Sequence, residues 1–267
     1  STSTDELIQG AGKSGKSLVD ARTLDAPDVL RQVPGEPRLT GSTGYLNIPK
    51  CLQLALYDGY DVMFKKQIGP HTGKAEDFKS YDELWNAFKT QLEYIIDVKM
   101  RGNLVIEEFN GRMIAGSVPF PSVPMTDQES KDYNAGGARY NTSYIQGVGI
   151  GTISDALSSI KFNVFDNQKF TMKELIDAMN DDFKGHEDIL NLVKNKTPKY
   201  GNDDDYADSV IAGCIQPVIM IDHRTPDYER RKIWSRYASY YMPLYFGEVI
   251  GATANRKKSK MCLYRKV

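Results

Sequence analysis

The chain is poor in the residues that staple or metallate small folds. Its 267 residues hold three cysteines, three histidines and two tryptophans. Cys51, Cys214 and Cys262 are odd in number and far apart, so neither a disulfide framework nor a CxxC knuckle can be drawn. His71, His186 and His223 have no second His or Cys at metal-ligand spacing, so no metal site is expected. A Ser-His-Asp set finds no G-x-S-x-G string to support it. Charge of one sign is lacking too: 34 Lys+Arg against 35 Asp+Glu leave a net of -1. That balance removes the electrostatic case for nucleic acid or an anionic membrane surface. No apolar run approaches the roughly 20 residues of a membrane helix. The polar, acidic start Ser-Thr-Ser-Thr-Asp-Glu does not read as a signal peptide. The expectation is a soluble, cytoplasmic protein.

What is present divides unevenly. Residues 1–44 are rich in Gly, Ser, Thr, Pro and charge, and Pro27, Pro34 and Pro37 break any long element. Tyr45 to Tyr57 reads as a buried helix with Pro49 in its first turn and Asp58-Gly59 at its end. Residues 65–74 read as a loop. Ser80 and Glu83 form a capping-box pattern, and Leu84, Phe88, Leu92, Ile95 and Val98 follow at helical spacing. They predict a helix over about 81–108, interrupted or weakened near Gly102. Residues 111–135 carry three prolines and read as loop. The glycines of 136–153 suit an extended stretch, and Ser154-Asp155 reads as the cap of a helix to about Phe165. Thr171 and Glu174 repeat the capping box, with Phe170 and Leu175 as a hydrophobic staple, for a helix to about Asp182 ahead of Gly185. Further helices are expected over 186–194 and from Tyr206 to Ala212.

Two local patterns invite a chemical reading. Gly10 to Ser17 satisfies the P-loop spelling G-x4-G-K-[ST], with Lys16 as the phosphate-binding lysine. A working P-loop needs a buried strand before it, and only Leu7 and Ile8 are apolar there, so a solvated Gly/Lys loop is the stronger reading. Asn202 to Asp205 with Asp208 form an acidic cluster suited to a hard cation. The EF-hand spacing is absent, and the same aspartates suit a helix N-terminus.

Longer strings carry a resemblance. They are Tyr45-Leu-Asn-Ile-Pro-Lys-Cys-Leu-Gln-Leu-Ala-Leu56, Lys66-Gln-Ile-Gly-Pro-His-Thr-Gly73 and Ser80-Tyr-Asp-Glu-Leu-Trp85, then Gly136-Gly-Ala-Arg-Tyr-Asn141, Gln146-Gly-Val-Gly-Ile-Gly-Thr152 and Pro198-Lys-Tyr-Gly-Asn-Asp-Asp-Asp-Tyr206. In this order they resemble the glycyl radical enzymes of the pyruvate formate-lyase superfamily, over about 38–109 and 135–209. Tyr245 to Ala252 echoes a further family segment. Asn141 to Gln146 and Lys194 to Thr197 are most similar to the trans-4-hydroxy-L-proline dehydratase branch.

The resemblance implies part of a ten-stranded α/β barrel, largely helical around a few barrel strands. Residues 45–212 form the barrel-like part. Residues 1–44 are a poorly ordered lead-in with a degenerate Cys-loop region, and 213–267 a degenerate C-terminal segment. It implies a lyase of anaerobic metabolism that dehydrates a small hydroxylated substrate by organic-radical chemistry. No bound cofactor is implied. A partner activase, using S-adenosylmethionine and an iron–sulfur cluster, makes a glycyl radical. A cysteine at the barrel centre relays it to substrate, and the barrel keeps water and oxygen away. A small-molecule substrate, the activase and a homo-oligomer are the partners implied.

This sequence departs from the family at the chemistry. Residues 25–36, where a Gly-Cys-Val-Glu loop is expected, hold no cysteine, and Glu36 stands in an unrelated context. Cys51 falls on the helix beyond. No Arg-Val-x-Gly-Tyr radical string occurs. No catalytic residue carries over. Thr43 and Tyr45 follow the Cys-loop position, where the resemblance implies side chains that face substrate. The chain reads as a fragment or degenerate copy of the enzyme, with a catalytically inactive partner of a complete subunit as the alternative. Its incomplete set of barrel strands predicts unpaired edges and association.

Overall fold

The structure, a computed structural model, describes residues 38–113, 140–202, 205–207, 209–210, 234–237 and 252–254. The P-loop-like string, the Cys-loop region, His223, Cys214, Cys262 and the carboxylates of Asp203, Asp204 and Asp208 lie outside the described residues. The elements in chain order are β1 (Arg38–Asn47), α1 (Ile48–Leu56), β2 (Tyr60–Asp61), β3 (Lys66–Gln67), a 3-10 turn (Ala75–Asp77), α2 (Tyr81–Met113), β4 (Tyr140–Val148), α3 (Ile150–Ile160) with a π-helical extension (Lys161–Asp166), α4 (Met172–Asn180), α5 (Glu187–Asn195) and β5 (Trp234–Tyr237). β1, β4 and β5 form a sheet in the order β1-β4-β5, while β2 and β3 pair antiparallel through Tyr60–Gln67 and Asp61–Lys66.

The chain divides into two units. One comprises Ser1–Thr43, Arg101–Tyr144 and Pro226–Trp234, and the other Gly44–Met100, Ile145–Thr225 and Ser235–Val267. The described core lies in the second. Leu54, Leu84, Phe88, Leu92, Ile96, Leu157, Ile160 and Leu175 are each fully or almost fully buried. Full burial of such side chains stabilises by about 1.5–3 kcal/mol apiece.

Helix α2 is continuous through Gly102, against the expected interruption or weakening, because a single exposed glycine costs only about 1 kcal/mol in a helix this long. Its buried stripe steps by four, through Leu84, Phe88, Leu92, Ile96 and Met100. Ile95 is therefore only half-buried and Val98 is exposed, unlike the expected face.

The capping box at Thr171 forms in full, and the one at Ser80 forms in half. Thr171 Oγ1 accepts the Glu174 N–H at 3.2 Å, and Glu174 Oε2 accepts the Thr171 N–H at 2.7 Å. Phe170 and Leu175 are both buried, as the staple requires. At α2 the box is shifted. Ser80 Oγ accepts the Glu83 N–H at 3.3 Å, but Glu83 reaches back one residue further, to the Lys79 N–H at 2.7 Å.

Two helix starts differ from expectation. Tyr45 to Asn47 complete β1 and do not open α1, since Asn47 is the N-cap and its side chain accepts the Lys50 N–H at 3.4 Å. Helix α3 begins at Ile150, four residues before Ser154. Its cap is Gly149 in the left-handed region at φ 90°, a conformation that favours glycine. Ser154 and Asp155 are interior and buried.

Candidate functional site

The strand-to-helix junction holds the residues singled out from sequence. Thr43 and Tyr45 both lie on β1, and Tyr45 is half-buried. Pro49 enters the first turn of α1, where its missing N–H costs nothing. Cys51 follows on the inner face, 1% exposed, with its thiol donating to the Asn47 carbonyl at 3.7 Å. Burial pushes that thiol up to about 12, so it stays protonated and behaves as a small apolar residue.

Beside it sits an ion pair that sequence reasoning missed. Lys50 Nζ meets Asp61 Oδ1 at 2.7 Å and Gln53 Oε1 at 2.7 Å. Asp61 is wholly buried, and its Oδ1 also accepts the N–H groups of Met63 at 2.9 Å and Phe64 at 3.3 Å. Desolvation lowers the Lys50 pKa, and the Asp61 carboxylate works against that shift. The i, i+11 separation leaves no periodic signal, because the two residues sit on opposite sides of a turn.

That turn is fixed by its own chemistry. Asp58 adopts φ 51° and Gly59 φ 79°. Asp58 Oδ1 accepts the N–H groups of Thr72 at 2.7 Å and Gly73 at 2.8 Å, and Oδ2 meets His71 Nδ1 at 2.8 Å. From α2, the fully buried Gln91 donates through Nε2 to the Pro70 carbonyl at 2.7 Å and to Thr72 Oγ1 at 3.1 Å. The string Lys66 to Gly73 is thereby held from two sides.

A second array positions the string Pro198 to Tyr206. Helix α3 carries buried polar residues at Ser154, Asp155, Ser158, Ser159 and Asn163. Ser154 Oγ donates to the Ala207 carbonyl at 3.3 Å, and Ser158 Oγ donates to the Pro198 carbonyl at 3.0 Å. Asp155 Oδ1 accepts the Tyr200 N–H at 2.9 Å, and Asn163 Nδ2 donates to Thr197 Oγ1 at 2.8 Å. Helix α3 and its extension thus reach Thr197, Pro198, Tyr200 and Ala207. The only signal in sequence was that α3 mixes polar and apolar residues all round, which marks a buried helix.

At the outer end of this array Lys161 Nζ lies 5.5 Å from the Tyr81 ring and 4.9 Å from the Tyr206 ring. Tyr206 donates to Asp166 Oδ2 at 2.7 Å, and burial followed by that carboxylate raises the phenol's pKa. A shallow cleft between α1, α3 and α4 is lined by Leu52, Gln53, Ile153, Met179 and Thr253 among others, with no charged group among its described lining residues. Among the described residues no group of three or more His, Cys, Asp or Glu could hold a metal ion. No described helix is long and apolar enough to cross a membrane. The described residues thus form a scaffold in which the Lys50–Asp61 pair is buried and polar side chains hold the two strings.

Comparisons with known proteins agree with the strings. The profile of the family Pyruvate formate lyase-like matches residues 4–247. That span is wider than the two quoted stretches and includes 110–134 and 210–243, where the strings gave no match. Trans-4-hydroxy-L-proline dehydratase of Clostridioides difficile is 44% identical over 94% of this chain and 32% of its own length. Isethionate sulfite-lyase of Nitratidesulfovibrio vulgaris is 31% identical over 85% of this chain and 28% of its own. The crystal structure of the Clostridioides difficile hydroxyproline dehydratase with trans-4-hydroxy-L-proline bound superposes with a TM-score of 0.92 at 42% identity, over 98% of this chain and 33% of that one. Glycerol-bound B12-independent glycerol dehydratase from Clostridium butyricum superposes with a TM-score of 0.85 at 29% identity. The chain spans about a third of the length of the relatives it matches. Its fold is part of the α/β barrel of glycyl radical enzymes.

Proposed function

The chain belongs to the pyruvate formate lyase-like family, and from that premise we propose that it is the barrel segment of a glycyl radical dehydratase. The substrate is a small hydroxylated molecule, trans-4-hydroxy-L-proline being the first to test. The observation that carries this reading is the 44% identity to the Clostridioides difficile dehydratase along nearly the whole chain. Thr43 and Tyr45 are the residues we place against substrate. A half-buried phenol on a barrel strand can orient a substrate hydroxyl while staying tied to the scaffold. The rest of the described chain holds the strings around that strand in place. The radical is made elsewhere, by an activase that uses S-adenosylmethionine and an iron–sulfur cluster, and the setting is the cytoplasm.

By itself the 267-residue chain has no radical lyase activity, because it carries neither the Cys-loop cysteine nor the radical string. This same observation supports a second reading, a catalytically inactive partner of a complete subunit. One experiment separates the readings. The chain is incubated anaerobically with an activase and S-adenosylmethionine, and then titrated calorimetrically with trans-4-hydroxy-L-proline. The expected result is no glycyl doublet in electron paramagnetic resonance, with saturable binding lost in Tyr45→Ala. A doublet on this chain overturns the inactivity. Absence of saturable heat with intact fold overturns the substrate assignment and leaves the partner role.

A further inference from the structure

Gln53 carries a donor that the described residues leave unused. The residue is 5% exposed, and its Oε1 accepts from Lys50 Nζ at 2.7 Å. A lysine can only donate, so the amide oxygen is fixed toward Lys50 and the NH2 group turns away from it. Among the described residues Gln53 Nε2 donates to nothing. A buried amide without an acceptor is costly, and it marks a place where an acceptor belongs. Other unpaired polar atoms, such as Gln91 Oε1 and Asn163 Oδ1, are sealed in the core and can take no ligand. Gln53 instead lines the cleft between α1, α3 and α4.

We propose that this cleft binds a short-chain aliphatic carboxylate, with the Gln53 NH2 group donating to a carboxylate oxygen and the carbon chain lying on Leu52, Leu56, Ile153, Ala156 and Met179. The helix ends choose an anion over a neutral acceptor. Pro49 brings the first turn of α1 to the cleft wall, and Thr152 and Ile153 bring that of α3. Neither first turn holds an acidic residue, so the positive ends of two helix dipoles meet there without a carboxylate of their own. Lys50 is balanced by Asp61 at 2.7 Å, so it polarises the amide and adds no net charge. The apolar wall chooses the rest of the ligand. An aliphatic chain is accepted there, while a second charge, as on a dicarboxylate or an amino acid, finds no partner among the described lining residues. The inference rests on this cleft alone and stands whether or not the dehydratase reading does.

Titration of the whole 267-residue chain with butyrate, followed in proton–nitrogen correlation spectra, tests it. The expected result is a saturable shift of the Gln53 side-chain amide with a Kd on the order of 1 mM. Nuclear Overhauser contacts should run from the butyrate methyl to Ile153 and Met179. Gln53→Glu keeps an oxygen for Lys50 and removes the NH2 group, so binding weakens by more than about tenfold while the circular dichroism stays that of the parent. A comparison on the parent chain decides the matter even where that variant unfolds. Butyramide, of the same shape without the charge, binds about fivefold more weakly than butyrate. No saturable shift at Gln53 overturns the proposal. So does butyrate binding unchanged in a folded Gln53→Glu chain, or butyramide binding as tightly as butyrate.

Discussion

Two polar arrays hold the family strings in place, and they do it under opposite conditions. The array on α3 is buried and nearly all neutral: Ser154, Ser158 and Asn163 spend their hydrogen bonds on the backbone and Thr197 side chain of 197–207. The array at Asp58 is solvent-accessible and charged, and one carboxylate gathers two N–H groups and His71. The difference teaches where the cost of error falls. In the buried array a lost partner leaves a group with no water to turn to, whereas at Asp58 water replaces what is lost.

The largest effect should come from the buried array. Asn163→Leu removes the amide that joins Ser159 and Thr197, and it inserts a branched chain where an amide fitted. A loss of about 3–4 kcal/mol in urea unfolding is expected. An effect below about 1 kcal/mol would mean that 197–207 is held by something else. Next comes Gly59→Ala at the turn. Gly59 sits at φ 79°, and a Cβ there would collide with the Pro70 and Gly69 carbonyl oxygens. About 2–3 kcal/mol is expected, a backbone penalty that solvent cannot relieve.

Asp58→Ala should cost less, about 1–2 kcal/mol, because the released N–H groups of Thr72 and Gly73 reach water. The turn also has a pH signature. The His71 hydrogen bond, with the Gly73 and Thr72 N–H groups, lowers the Asp58 pKa below its ordinary 3.8. A depressed carboxylate contributes stability that is fully present above the unfolded value and is lost as pH falls through the folded one. Amide exchange at Thr72 and Gly73, taken relative to the intrinsic rate at each pH, should therefore accelerate below about pH 4, while exchange at Tyr200, bonded to Asp155, should be tracked as the buried contrast. Equal acceleration at Asp58's partners in Asp58→Asn and parent would remove the carboxylate from the account. The smallest effect is Thr171→Ala in the exposed capping box, about 1 kcal/mol by thermal melt.

The sequence was readable wherever the chemistry closes within a turn. The boxes at Ser80 and Thr171, the staple of Phe170 and Leu175, and the long α2 all depend on residues three to five apart. The helix starts were misread where the partner is distant. Ser154 and Asp155 carry the residue types of a cap, yet they are satisfied by Ala207 and Tyr200, about fifty residues on, and so sit inside the helix. Tyr45 to Asn47 continue an apolar run that suits a helix, but β1 lies beside β4 in the sheet and the strand extends to Asn47.

The same division runs through the site. Residue order alone determined the family, because long strings such as Gln146 to Thr152 and Pro198 to Tyr206 are specific in themselves, and it determined that Cys51 stands on a helix away from any Cys loop. Only the tertiary structure decided what those strings are for one another. It brought Lys50 onto Asp61 across a turn, Gln91 onto Pro70 and Thr72 from a separate helix, and the polar side of α3 onto 197–207. The physical reason is that a hydrogen bond records geometry and not separation along the chain. A serine that caps its own helix and a serine that holds a segment fifty residues away are the same letter until burial chooses between them.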